Sequence, residues 1–444
     1  VENGTVYDNI CVNDTFGMEI QDTHNSSIGQ NNCSNSKTRS GMVFLSSSEN
    51  LVTGNRLDDN PQRGISMKNS NNITIEKNDC KNNTRGIYLD SSVYNEIIDN
   101  NCSENEDGIF LHYSDDNTLS FNTAINNSKN GTFLNHSTNC LVENNTAKKN
   151  SRGMTYSFSG PGIAKNNIYS ENRYGMMVFG SDDVIFQNNS CPQNNFGLLA
   201  YFSNYLELDE NYLSSNVDAG AFLYESSNNT IENNTCNHQM DGGGIVLFNS
   251  DDNWIYGNNC SHNMGGVSAF NSSRNMVKKN IMNYDQGSVH IDLGRENIFM
   301  NNTMKNCVFN GYFNNTSNNT FDSNLCSDSL YSIFVEGSRH NLFRENNISR
   351  SQIGVYMNYS SENSLYMNEM HDCSIVLNGD DQTFTTQDIP INNTVNGKPV
   401  YYFKNVDKTG NNFSRESGEV ILGNVSNFEL NDMNITHGTV GIQA

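Results

Sequence analysis

Proline is nearly missing from this 444-residue chain, with five in all, and there is a single tryptophan. Cations are scarce too. Lysine and arginine total 26 against 49 aspartates and glutamates, a net charge of −23. A chain so short of positive charge cannot neutralise many phosphates, which excludes nucleic acid as a partner. Anionic lipid would repel it. No run of 18 apolar residues occurs, so no transmembrane segment is expected. Only 17% of residues are charged and 35% apolar, so uncharged polar side chains must make the surface. Asparagine supplies them, with 81 residues or about 18% of the chain. The 20 Tyr and 23 Phe, set in a regular pattern, argue against disorder.

That pattern is a repeat. An Asn with an apolar residue three positions before it recurs at Asn9, Asn31, Asn55, Asn78, Asn100, Asn122, Asn144, Asn166, Asn188, Asn211, Asn234, Asn258, Asn280, Asn301, Asn324, Asn346 and Asn368. The gaps run from 21 to 24 residues, most often 22. Eight to ten residues after the Asn comes a Gly with an apolar run, as in Gly86-Ile-Tyr-Leu, Gly108-Ile-Phe-Leu and Gly244-Ile-Val-Leu. The runs are too short for helices and alternate with period two. Turn-forming Asn, Asp, Ser and Gly fill the intervals. Three short strands and three turns use about 22 residues, and stacking such coils in parallel gives a β-solenoid. In register, each Asn amide donates to the next Asn and accepts from the last. Inward positions are then the residues one and three after the Gly (Ile65 and Met67, Ile87 and Leu89, Ile109 and Leu111, Ile245 and Leu247) and the residue two after the Asn. The last set includes Leu57, Cys80, Cys102, Ala124, Ile168, Leu213, Cys236, Cys260, Met282, Cys326 and Ile348.

The motif I-x-x-N followed by G-I-x-L-x-x-S-x-x-N resembles the right-handed parallel β-helix repeats of the carbohydrate-binding and sugar-hydrolase (CASH) class. It is similar in particular to NosD-like repeat proteins of archaeal cell surfaces. The resemblance implies an all-β, right-handed parallel β-helix of about 18 coils. It says little of function, because enzymes, binders and envelope proteins share the fold. We divide the chain into a parallel β-helix over 1–378, a polar insertion over 379–418 and a returning coil over 419–444. The chain starts and stops part-way through a coil. The expectation is a fragment, or a subunit whose ends another copy covers.

There are 26 Asn-x-Ser/Thr sequons, and Asn82, Asn126, Asn228, Asn271, Asn318 and Asn358 are the glycosylation candidates. Asn144, Asn188 and Asn301 also begin sequons, but as ladder residues they should be bonded internally. Of 11 cysteines, seven (Cys11, Cys33, Cys80, Cys102, Cys236, Cys260, Cys326) share one inward register, whereas Cys140, Cys191, Cys307 and Cys373 do not. Stacked parallel strands hold Cβ atoms about 4.8 Å apart, beyond the usual disulfide spacing, so reduced core thiols are expected over a Cys80–Cys102 staple. Cys236-Asn-His238 and Cys260-Ser-His262 form a Cys2His2 set one coil apart, but two stacked pairs converge poorly on a tetrahedral ion. The resemblance links such proteins with copper. No His-rich or Met-His cluster is present, so neither metal nor cofactor is expected.

Aspartate pairs occur at 58–59, 115–116, 182–183, 251–252 and 380–381. The three at the same offset after their Gly sit three coils apart, about 14 Å by stacking, and a glycosidase pair needs less. Turns favour Asp in any case. No catalytic residue is assigned. The feature that departs from an ordinary surface is an outward apolar stripe. Two residues after the Gly stand Tyr88, Phe110, Phe133, Met177, Leu199, Phe222, Val246, Val289, Phe313, Phe334 and Tyr356, and four after it Phe179, Tyr201, Tyr224, Phe248 and Phe270. Such a stripe suits lateral packing or contact with sugar rings. The expected function is that of an extracellular, structural cell-envelope protein of the sheath or surface-layer kind, self-associating through faces or ends, and not an enzyme. A polysaccharide-active hydrolase or lyase is the first alternative. A non-catalytic glycan-binding module is the second.

Overall fold

Each coil turns where a residue takes left-handed backbone angles and the next residue points its polar side chain inward. In one coil these pairs are Lys77 (φ 54°) before Asn78, Asn82 (54°) before Asn83, Ser91 (51°) before Ser92 and Tyr94 (58°) before Asn95. The left-handed region crowds Cβ against the following carbonyl, most of all for β-branched residues. Accordingly, no Val, Ile or Thr among the described residues adopts positive φ. The inward polar residues then satisfy the backbone that the turn exposes. The Asn78 backbone N–H and Nδ2 both donate to Asn100 Oδ1, each at 3.0 Å, and Nδ2 also donates to Val52 O at 3.0 Å.

The computed structural model describes residues 1–407 and 416–444. It divides into two units, Val1–Ala221 and Phe222–Ala444, and both are right-handed parallel β-helices with coils of about 22 residues. Together they hold about 20 turns and almost no helix. The broad face of each coil is a six-residue strand: Arg85–Asp90 pairs in parallel with Asp107–His112, setting Ile87 beside Ile109 and Leu89 beside Leu111. A second face has three-residue strands, such as Thr74–Glu76 beside Glu96–Ile98. The third alternates short strands with single bridges, such as Asp79 to Asn101. The core is the column these faces enclose, filled by Ile75, Cys80, Ile87, Leu89 and their equivalents, all inaccessible to water.

The ladder Asn is one of three. In unit 1 it runs through Asn9, Asn31, Asn55, Asn78, Asn100, Asn122, Asn145, Asn167, Asn189 and Asn211. In unit 2 the segment from Asn258 to Asn393 passes through Asn280, Asn302, Asn324, Asn346 and Asn368. The expected Asn144, Asn166, Asn188 and Asn301 are therefore one residue early. Each belongs to an Asn-Asn pair whose first member takes the left-handed turn (φ 57°, 57°, 51° and 56°) and faces out. The shift also corrects Ile168, which is exposed while Tyr169 fills the core. It places Cys191 in the inward cysteine column, two after Asn189.

A second ladder lies five residues after the first, including Asn83, Asn105, Asn127, Asn150, Asn172 and Asn194 in unit 1. A third includes Asn95 and Asn117 in unit 1 and runs from Asn229 to Asn363 in unit 2. Cys140 takes a third-ladder place, its thiol 3.5 Å from Ser114 O. Cys307 takes a second-ladder place, 3.6 Å from Met282 O. All eleven cysteines are free thiols, and only Cys11 is not buried. Burial pushes the Cys33, Cys140 and Cys373 thiols up to about 12. Titration with a thiol reagent is expected to find Cys11 alone reactive in the native state, with the rest reacting only on unfolding.

The segment expected to be an insertion, of which 379–407 and 416–418 are described, carries the one helix among the described residues, Asp381–Thr385, capped by Asp380, which accepts from the Thr383 N–H. The ladders continue through this segment at Gln387 and Asn393. Strand Lys398–Asp407 then pairs in parallel with Glu419–Ser426, and Ile442–Gln443 extends that sheet.

Candidate functional site

The broad face has three outward columns. Its Gly column is fixed by contact: a Cβ at Gly86 would lie 2.6 Å from Gly108 O and 3.0 Å from Asn105 Nδ2. Gly and the apolar residue after it both turn inward, so the residue before the Gly faces out. In unit 1 the columns read Arg63, Arg85, Asp107, Asn130, Arg152, Tyr174; then Ser66, Tyr88, Phe110, Phe133, Thr155, Met177, Leu199; then Lys68, Asp90, His112, Asn135, Ser157, Phe179, Tyr201.

The predicted stripe is thus largely outward, but its rings cover one another. Phe110 meets Tyr88 edge-on at 5.5 Å and stacks on Phe133 at 4.5 Å. Tyr88 and Phe110 are each only 8% exposed, and Leu199 2%. In unit 2 Phe222, Phe334 and Tyr356 are outward and half-buried, Tyr224 stacks on Phe248 at 5.4 Å, and Phe270 meets His290 edge-on. Phe313 is a correction, because it is wholly buried. Gly311 aligns with Val289 and Ile333 at an inward position, not with the Gly column. Its missing Cβ makes room for Phe313 and Phe321, and Tyr312 is the outward residue. Val289 is buried for the same reason of register, with His290 outward. In these coils Ser288, Asn310 and Ser332 stand where Gly would, bonded to the shorter ladder residues Cys307, Ser329 and Ser351.

Two features were not anticipated. The first is an aromatic ledge at the corner after the broad face. Rings follow one another from Tyr113 to His136 (4.9 Å), Phe158 (5.2 Å), Phe179 (5.3 Å) and Phe202 (6.0 Å). Tyr113, Phe158 and Phe202 are about half exposed (53%, 50% and 46%). The second is a groove of about 350 Å³ at the N-terminal end of the face, lined by Phe16, Glu19, Arg39, Arg63, Ser66, Lys68, Tyr88 and Asp90 among others. Arg63 Cζ lies 4.1 Å over the Tyr88 ring, and Arg85 Cζ lies 4.8 Å from the same ring and 4.4 Å from Phe110. Burial, assisted by Arg85, pulls the Arg63 guanidinium below its ordinary value, and burial next to Asp90 raises the Tyr88 phenol. The Arg-Gly dipeptides at 63–64, 85–86 and 152–153 were the available signal.

The aspartate pairs serve the fold. The first member of four of them accepts a backbone N–H from the next coil: Asp58 from Lys81, Asp115 from Thr138, Asp182 from Asn204 and Asp251 from Ser273, at 2.7 to 3.0 Å. Asp380, in the fifth, caps the helix. Glycosylation candidates Asn82, Asn126, Asn228, Asn271 and Asn318 are exposed at left-handed corners. Asn358 lies on a broad-face strand, its Oδ1 accepting from Asn378 Nδ2 at 2.7 Å. Asn144, Asn188 and Asn301, expected inside, face out.

A family model described as periplasmic copper-binding protein (NosD) matches residues 1–132, 106–265 and 261–386. The chain belongs to the NosD family. No curated protein matches this NosD-family chain. Solved structures similar to it include the A-module of mannuronan C-5 epimerase AlgE6 from Azotobacter vinelandii, at 12% identity over 79% of this chain and 90% of that one, TM-score 0.45. Also similar are a mutant of the periplasmic alginate epimerase AlgG (12%, 73% and 77%, 0.41) and the alginate lyase from Paenibacillus sp. str. FPU-7 (12%, 63% and 92%, 0.33). These are likenesses of fold. The family description is periplasmic, and no helix among the described residues is long and apolar enough to cross a membrane.

The NosD description implies copper, and the donor set can be tested against it. Among the described residues no three of His, Cys, Asp or Glu converge. His238 stacks on His262 with ring centroids 4.6 Å apart, and Tyr284 continues the stack at 4.8 Å. Stacked imidazoles direct their lone pairs in parallel planes, not toward one ion. Cys236 and Cys260 face the core, and their mutual hydrogen bond together with burial pushes the Cys260 thiol up, away from the thiolate that metals bind. These residues do not fit a copper site.

Proposed function

We propose that this protein is a structural component of the cell envelope, extracellular or at the cell surface, that associates laterally with copies of itself. The observation that carries this reading is the aromatic ledge Tyr113–His136–Phe158–Phe179–Phe202, contiguous on one edge of unit 1 and half open to water at three of its rings. Contiguous exposed apolar surface of this kind marks association sites. The acids most suggestive of catalysis support it from the other side, since they cap the coils.

Sedimentation velocity tests the reading. The native chain is expected to form species larger than a monomer, and more of them as salt screens its charge of −23. Replacing Tyr113, Phe158 and Phe202 together with Asn, which tolerates the left-handed turn, should return it to monomer at an unchanged melting temperature. A monomer that persists at high concentration and high salt overturns the proposal. The groove favours a second reading, a polysaccharide-active enzyme, because it sets Glu19, Tyr88 and Asp90 beside Arg63. New reducing ends or unsaturated products from an incubated polysaccharide would establish that reading.

A further inference from the structure

We propose that the ledge of unit 1 in one copy docks on the corner of unit 2 that precedes the broad face in another copy, so that the chain assembles head to tail. This rests on the self-association proposed above and names the surface that the ledge meets. That corner is apolar and open. Met240, Met264, Val308 and Leu330 each follow a second-ladder place by one residue, and all four are exposed, Met240 at 74%. Tyr284, 56% exposed, stands at the turn itself and continues the stack of His238 on His262. Beside Val308 and Leu330, where the broad face begins, Phe309 stacks on Tyr331 at 5.5 Å. An exposed apolar column of this length marks a contact surface.

Charge decides which surface the ledge takes. The residues that form the ledge corner, 113–116, 136–139, 158–161, 180–183 and 202–205, include Asp115, Asp116, Asp182 and Asp183 and no Lys or Arg. Ledge against ledge would set these carboxylates against their own copies across an apolar contact, and they would repel. The unit 2 corner differs. Asp285 is buried there, and Asp328 is held by Arg350 at 2.7 Å. That leaves Asp241 as its one acid, among the described residues, that is neither buried nor ion-paired. Exposed His238 and His262 offer imidazole N–H donors to the aspartates of the ledge, and Lys305, one residue before the turn, offers an ammonium.

Shape agrees with charge. Both columns advance one place per coil, a step of about 4.8 Å. The ledge covers five coils from Tyr113 to Phe202, and the corner covers five from Met240 to Leu330. Columns of equal step interdigitate along their length. The thioethers of Met240 and Met264 are flexible and make favourable contacts with ring edges, which suits them to a row of unevenly tilted rings. The apolar area exposed on each side is on the order of 300–500 Å², the size of a weak contact. Because the two copies use different surfaces, each copy added brings an unused ledge and an unused corner. Association then runs on to a ring or an open array.

Sedimentation velocity on three forms of the chain tests this. One is native. The ledge variant carries Tyr113→Asn, Phe158→Asn and Phe202→Asn. The corner variant carries Met240→Gln, Met264→Gln and Tyr284→Asn, the last keeping the left-handed turn at φ 61°. Each variant alone is expected to be monomeric, with its melting temperature unchanged. Mixed in equal amounts, the two should form a dimer and nothing larger, because the intact ledge of one meets the intact corner of the other and no second contact remains. Met240→Gln alone, at the most exposed of these side chains, should weaken assembly severalfold. A corner variant that assembles as well as the native chain, or a mixture that stays monomeric or grows beyond a dimer, overturns this inference and leaves self-association through the ledge standing. A native chain that stays monomeric at high concentration and high salt overturns both.

Discussion

Changing Asp285 to Asn is expected to raise the melting temperature in mildly alkaline buffer and to raise it much less near pH 5. Asp285 stands in the second Asn ladder, where its Oδ1 accepts the Asn263 N–H at 2.8 Å. One coil earlier, Asn263 Nδ2 donates to Cys236 O at 3.0 Å. The matching atom of Asp285 is Oδ2, which is buried and reached by no donor among the described residues. A proton on that oxygen would restore the donor the ladder requires, and burial raises the carboxyl from 3.8 to about 8. Glu419 behaves alike. It accepts from Ile375 N at 3.0 Å and from Gln443 Nε2 at 3.1 Å, and burial lifts it from 4.5 to about 8.

For both acids the folded chain keeps a proton that the unfolded chain releases. Stability is therefore full below pH 4, falls as pH rises from there to about 8, and is flat above. At 1.36 kcal/mol per pH unit each group could remove up to about 5 kcal/mol, an upper limit that relaxation of the site reduces to a few. Melting temperatures at about pH 5 and pH 9 decide the matter. The native chain should lose stability between them, Asp285→Asn should lose less, and Asp285→Asn with Glu419→Gln should lose least. An Asp285→Asn variant destabilised equally at both values would show that the ladder place wants the acid and not the donor.

Much of the fold was legible because the period is enforced by contact. A ladder Asn must meet another Asn, and the Gly column cannot bear a Cβ, so both recur at nearly fixed spacing. The register failed where two Asn stand side by side. Composition cannot say which of Asn144 and Asn145 turns the corner and which points in, and only the line of inward neighbours (Val142, Ala147) decides. The corrected choice also removes the one gap of 21 residues, between Asn280 and Asn301, in favour of 22. Phe313 was misplaced by the same kind of local shift, since Gly311 serves the Phe cluster and not the Gly column. The functional surface was harder to read. Exposed rings at Tyr113, Phe158 and Phe202 occupy turn positions where polar residues are the rule. Arg39, Arg63 and Lys68 lie at different offsets in two coils and meet only once the coils stack.

Replacing Asn145 with Ala should destabilise unit 1 by about 3–5 kcal/mol, whereas Asn144→Gly should fall within roughly 0.5 kcal/mol of the native chain. Asn145 Nδ2 donates to Leu119 O at 2.9 Å and to Asn167 Oδ1 at 3.1 Å. Its Oδ1 accepts both the Asn122 N–H at 2.8 Å and Asn122 Nδ2 at 3.0 Å. Ala strands the buried Asn122 N–H and removes three further buried hydrogen bonds, although the Asn122 amide keeps Ile97 O at 2.7 Å. The orphaned donor costs about 1–3 kcal/mol and each other lost bond about 0.5–1.5 kcal/mol, less what entering water recovers. The side chain of Asn144 faces out, and its backbone at φ 57° is one that Gly adopts freely. Urea unfolding followed by hydrogen exchange of the flanking coils reads both variants, because a solenoid can lose one coil without losing all. If Asn144→Gly proved the damaging change and Asn145→Ala the silent one, Asn144 would be the inward residue. The ladder would then pass through Asn166 and Asn188 as well, and Cys191 would leave the core column with them.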